Sequence, residues 1–167
     1  MEVMQPSNEC LSSALCAQCG VPLDAKPFDA SGVLPAPLVG SSVVLARFEL
    51  PPQYCGTLEF FSQFTDVYAS DNAKVRTPGF LWSILSNSRP LFPYLQLDRI
   101  LNPWGFGSFQ TTVRLDESST IEFVVRGVPI QPEDREDATP AVSRLGGRLV
   151  GRYWYNRAYG DVVRRGR

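Results

Sequence analysis

Four cysteines carry the clearest chemical potential in this 167-residue chain: Cys10, Cys16, Cys19 and Cys55. Cys16-Ala17-Gln18-Cys19-Gly20 has the CxxCG form of a zinc knuckle, and Cys10 with Cys55 would complete a tetrahedral ligand set by count. Zinc ribbons bring a second CxxC pair, whereas Cys55 stands alone in a strand-and-turn stretch and no histidine is present to substitute. A zinc site, a disulfide and unpaired thiols all stay open, with free thiols the default for a reducing cytosol and no metal assigned. A redox CxxC needs a cysteine at a helix start in a thioredoxin-like βαβ setting, which nothing around Cys16 supplies.

The absence of histidine removes imidazole as base, acid or ligand, and with it Ser-His-Asp and Cys-His catalysis. The acidic pairs Asp116/Glu117 and Glu133/Asp134 have the residue type for acid–base hydrolysis, which requires two carboxylates held across a cleft. Both lie in polar turns, where solvated loop charge is the simpler account. Asn102-Pro103-Trp104-Gly105-Phe106-Gly107 offers an aromatic shelf for a sugar, although such rings more often pack beneath a turn. No catalytic or cofactor-binding residue is assigned, and neither enzymatic activity, a cofactor nor a small-molecule substrate is expected.

The third constellation is C-terminal. Net charge is −1, yet arginines at 144, 148, 152, 157, 164, 165 and 167 crowd the end of the chain, and Glu133, Asp134, Glu136 and Asp137 cluster just before them. Arginine interleaved with Tyr153, Trp154, Tyr155 and Tyr159 suits a nucleic-acid surface. It suits a protein interface better, because arginine pairs bidentately with carboxylates and stacks on rings, and lysine occurs only at 26 and 74. Arg148, Arg152, Tyr153, Trp154 and Tyr155 are therefore the expected intersubunit residues, with the acidic loop of a neighbouring copy as a natural partner. Nucleic acid is not the expected partner.

These residues need a scaffold, and its pattern is β. Residues 43–52 (VVLARFELPP) read as a strand closed by a double proline. Residues 56–68 suit either alternation or a helical stripe, and their aromatic enrichment favours strand. Residues 74–86 are an apolar run followed by turn chemistry at 86–90, which predicts a hairpin. A short strand is expected at 94–97. Residues 109–117 and 120–128 alternate about a DESS turn and predict the clearest hairpin, before a polar, acidic loop over 129–141. The last strand alternates Arg148, Val150, Arg152 and Trp154 against Leu149, Gly151, Tyr153 and Tyr155, and would seal a sheet edge. Regular short strands with Gly and Pro turns predict an all-β, jelly-roll-like antiparallel sandwich. The segment 1–42, with prolines at 22, 27, 35 and 37, reads as an extended arm engaging a neighbour; 43–160 is the sandwich and 161–167 a basic tail. No stretch reaches the length of a membrane-spanning helix, and no membrane is expected.

The order ELPPQYCGTLEFFSQF (49–64), GFLWSILSNSRP (79–90), IEFVVRGV (121–128) and GGRLVGRYW (146–154) resembles small β-sandwich proteins of tailed-bacteriophage virions. The resemblance is one of strand order, proline-glycine entry and a Gly-Arg-rich closing strand, and it carries no functional residues across. It implies a multimeric, non-catalytic capsid decoration or cement protein. Its partners would be copies of itself and a major capsid or other virion protein, in a virion assembled in the host cytoplasm. A neck or tail component is the alternative within that class; a carbohydrate-binding module or a zinc-knuckle nucleic-acid-binding protein is the alternative outside it.

Overall fold

The computed structural model describes residues 21–66, 79–91, 108–130 and 142–156. They form eight strands and, among the described residues, no helix: β1 (Lys26–Pro35), β2 (Ser42–Glu49), β3 (Tyr54–Thr65), β4 (Phe80–Ser86), β5 (Arg89–Pro90), β6 (Ser108–Leu115), β7 (Thr120–Gly127) and β8 (Arg144–Tyr155). Two four-stranded sheets result, ordered β1-β8-β3-β6 and β2-β7-β4-β5.

The pairing scheme defines the topology. β1 pairs with β8, β2 with β7, β3 with β6 and β4 with β5, all antiparallel. The chain is thus one long antiparallel ribbon, tipped by the β4–β5 hairpin and rolled so that successive rungs fall in opposite sheets. The β3–β8 and β4–β7 ladders close the roll. This is the jelly-roll arrangement, so the expected all-β antiparallel sandwich is the fold of the chain. At the tip, Asn87 and Ser88 both have positive φ, as a tight two-residue hairpin loop demands. The Asn87 side chain accepts a bond from the Thr120 amide at 2.9 Å, stitching the tip to β7.

Alternation supplies the core. In β7, Ile121, Phe123 and Val125 are fully buried and meet Trp82 and Ile84 of β4, Leu58 and Phe61 of β3, and Leu145 and Leu149 of β8. Phe123 lies edge-on to Phe61 at 6.1 Å and tilted against Trp82 at 5.8 Å, geometries favoured by the ring quadrupole. The two sheets approach so closely at Gly147 that a Cβ there would stand 2.6 Å from a Phe123 ring carbon.

Three expectations are corrected. The segment 1–42 is not wholly an arm: residues 26–35 are β1, paired along their length with β8, and Phe28 packs in the core, stacked on Phe48 at 3.9 Å. The prolines at 27 and 35 are tolerated because β1 is an edge strand, whose outward-facing amides have no ladder partner to lose. Consequently β8 does not seal an edge; it lies between β1 and β3. Finally, β6 and β7 are consecutive but do not pair, since β6 joins β3 and β7 joins β2 and β4. The DESS turn is a corner between sheets, and the fully buried Leu115 and Ile121 on either side of it reach the core from opposite layers. The strand expected at 94–97, the loop 102–107 with Trp104, the acidic stretch 131–141, the tail 161–167 and Cys10, Cys16 and Cys19 lie outside the described residues.

Candidate interaction surface

The two-residue period of β8 splits the expected interface residues between two faces. Arg148, Val150, Arg152 and Trp154 point away from the sandwich interior, while Leu149, Gly151, Tyr153 and Tyr155 line the inward face, as the alternation predicts.

On the outer face, Arg148 reaches across to β1, where its Nε and Nη2 donate to the two carboxylate oxygens of Asp29 at 2.9 and 2.5 Å. Both side chains are about half exposed. The guanidinium holds the Asp29 carboxyl below the ordinary aspartate range, chiefly through that hydrogen bond. Arg152 is more sheltered: its Nε donates to Glu59 Oε1 at 2.6 Å, and the Thr57 hydroxyl donates to the same oxygen at 3.0 Å. Against β8 the register shifts between Leu58 and Phe60, leaving Glu59 as the extra residue of a bulge beside the Thr57–Arg152 pair. Beside this pair an open depression of about 640 Å³ is lined by Val21, Glu59, Phe60, Gln110, Thr112 and Arg152.

Trp154 does not join that surface. Its ring is 7% exposed and forms, with Val21 and Cys55, a second small apolar cluster under which Ala25 packs. Trp154, expected as an intersubunit residue, is thus buried within the protomer, where the chain's own Val21 packs on the indole. Tyr153 is half buried between Phe48 and Tyr54, at 5.6 Å from each. Tyr155 is 41% exposed and stands edge-on to Tyr54. Of the expected residues, Arg148 and Tyr155 are exposed, and Arg152 and Tyr153 are half-buried.

The acidic pair Asp116/Glu117 is engaged structurally: Asp116 pairs with Arg114 at 3.2 Å and Glu117 accepts from Asn156 at 2.7 Å. Cys55 is disulfide-bonded, so the free-thiol default fails at this position. Among the described residues no group of three or more His, Cys, Asp or Glu side chains is placed to hold a metal.

Sequence reasoning missed a second exposed set. Leu38, Val39 and Ile130 are 82%, 67% and 40% exposed at one end of the sandwich. Val39 bridges to Gly127, and Ile130 lies over Gly79. Leu38 and Val39 sit in the proline-bracketed PAPLV stretch, where two adjacent apolar residues in an otherwise turn-forming segment were the available signal. Glu59 was hidden for another reason: it meets Arg152 only through the pairing of β3 with β8, about ninety residues away. No protein-family model matches the chain, and no curated protein matches it in sequence.

Proposed function

We propose that this chain is a non-enzymatic structural component of a virion, a capsid decoration or cement protein acting through contacts with copies of itself and with a major capsid or other virion protein. The observation that carries the reading is the jelly-roll wiring, an architecture used by viral capsid domains. The step from architecture to role is one of analogy, since a fold hosts many functions. Two surface features agree with it: the outer-face arginines Arg148 and Arg152 with the exposed Tyr155 at the end of the same strand, and the exposed Leu38, Val39 and Ile130 at the sandwich end. Large apolar side chains clustered in solvent mark contact surfaces. A neck or tail position uses the same surfaces.

Density-gradient-purified particles provide the test. The chain should co-sediment with particles in a fixed copy number, and immunogold labelling should place it on the head for a decoration protein or at the neck or tail for the alternative. Absence from purified particles would end the virion reading. One observation favours a second class: the depression beside Glu59, Phe60, Gln110 and Arg152 offers a ring face and planar polar groups, the features a sugar engages, and jelly rolls also serve as lectin domains. Binding on a glycan array that is lost in Phe60→Ala would support that carbohydrate-binding reading in its place.

A further inference from the structure

We propose that the depression beside Arg152 is a binding site for an uncharged sugar unit of a glycan, with the Glu59–Arg152 pair as the element that turns charged sugars away. The inference rests on the carbohydrate reading of this depression and names the class of sugar it takes. Its first support is the way the sheet is built there. Leu58 of β3 stands opposite Gly151 of β8 and Val113 of β6, and Phe60 stands opposite Val150 and Gln110. Between those two rungs β8 contributes no residue, β3 contributes Glu59, and β6 contributes both Thr111 and Thr112. Two neighbouring ladders are thus bulged at one level, and a bulge bends its strand and sharpens the local twist. All three extra residues line the depression, together with Phe60, Gln110 and Arg152.

The chemistry of that lining suits a pyranose or furanose ring. A sugar carries an apolar face of C–H bonds and a rim of hydroxyls, each of which both donates and accepts. The half-buried Phe60 supplies an aromatic ring, whose negative face attracts C–H hydrogens. Its exposed cross-strand partner Gln110 supplies an amide that donates and accepts in one plane, and Thr111 and Thr112 supply hydroxyls.

The charges decide the class of sugar. Arg152 and Glu59 are the only charged side chains among the described lining residues, and they cancel: Arg152 Nε donates to Glu59 Oε1 at 2.6 Å, an oxygen that also accepts from the Thr57 hydroxyl at 3.0 Å. Only 37% of the Arg152 side chain and 29% of the Glu59 side chain are exposed. A sulfate, phosphate or uronic carboxylate that drew the guanidinium to itself would leave Glu59 without its counter-ion in this sheltered place, and an amino sugar would strand Arg152 in the same way. A neutral hydroxyl incurs neither cost, since it can accept from a guanidinium and donate to a carboxylate while the pair stays closed.

The test is an array that sets neutral glucans, mannans, galactans and xylans beside sulfated, phosphorylated, sialylated and uronic-acid glycans, probed with the full-length protein. The expected hits are neutral, and their affinity by titration calorimetry should change less than about twofold between about 0.05 and 0.5 M salt, because no net charge is exchanged. Gln110→Ala, at an exposed position, should weaken that binding about two- to tenfold, the loss of one hydrogen bond. Glu59→Gln should deprive Arg152 of its counter-ion and shift the hits toward sulfated and uronic glycans, with an affinity that falls as salt rises. Far-ultraviolet circular dichroism verifies that both variants keep their sheets. Hits confined to charged glycans in the parent protein, a neutral affinity unmoved by Gln110→Ala, or hits unchanged in a folded Glu59→Gln protein would overturn the assignment while leaving carbohydrate binding itself in force. Binding to no glycan of any kind would end the carbohydrate reading and this inference with it.

Discussion

Replacing Trp154 with alanine should destabilise the protomer itself. The indole is 7% exposed, so nearly all of its surface is removed from water, and a tryptophan buries about 150–250 Å². Alanine would return about 150 Å² of that gain, which at about 25 cal/mol per Å² is about 4 kcal/mol. The second cluster is small and lies on the outer face, so Val21 can settle into part of the vacated volume, and the lower end of the measured range for such truncations, about 3 kcal/mol, is expected. For a chain of this size that is a fall in Tm of about 6–12 °C. Urea unfolding followed by far-ultraviolet circular dichroism measures the change, with Arg148→Ala as the contrast, because the exposed Arg148–Asp29 pair should leave stability close to the parent. A Trp154→Ala protein within about 0.5 kcal/mol of the parent that had lost self-association would refute the reasoning. It would return Trp154 to the role of an intersubunit anchor.

Gly147→Ala should cost about 1–3 kcal/mol in the same unfolding assay, because the new methyl meets Phe123 at 2.6 Å and Leu45 at 3.0 Å where the two sheets are closest. A neutral effect would mean that the sheets separate more readily there than the packing implies. Gln63→Leu should raise stability by about 1 kcal/mol, since the buried Gln63 Oε1 has no hydrogen-bond partner among the described residues and pays for its desolvation; a loss instead would point to a buried water at that oxygen. Asp66 accepts bonds from the Ser143 hydroxyl and, at 3.1 Å, from its amide, and the hydroxyl bond above all holds the carboxyl below the ordinary aspartate value of 3.8. The folded-state pKa being the lower one, this contribution is complete above about pH 4 and disappears as pH falls through the depressed value. Asp66→Asn should therefore flatten the acid limb of a pH–stability profile without steepening it anywhere above neutrality, and an unchanged acid limb would count against the Ser143 latch.

The residue pattern by itself determined where most strands lie and which side chains share a face. In β8 the alternation of Arg148, Val150, Arg152 and Trp154 with Leu149, Gly151, Tyr153 and Tyr155 is a property of the pleat, which repeats every two residues whatever the neighbours. The β4–β5 hairpin was legible for the same local reason, since Asn87 and Ser88 tolerate the positive φ its loop requires. What lay beyond the sequence was partnership. A DESS turn is equally compatible with a hairpin and with a corner, and only the burial of Leu115 and Ile121 in opposing layers separates β6 from β7. The proline-bracketed β1 is a strand because an edge position spares its missing amides, and edge status is conferred by β8 from more than a hundred residues away. Trp154 faces outward, as its phase in β8 dictates, yet it is buried because Val21 returns over it, and Glu59 meets Arg152 only because β3 pairs with β8. Local periodicity sets a side chain's direction, whereas what waits in that direction is decided by chain segments distant in sequence, whose pairing energy appears only once the roll has closed.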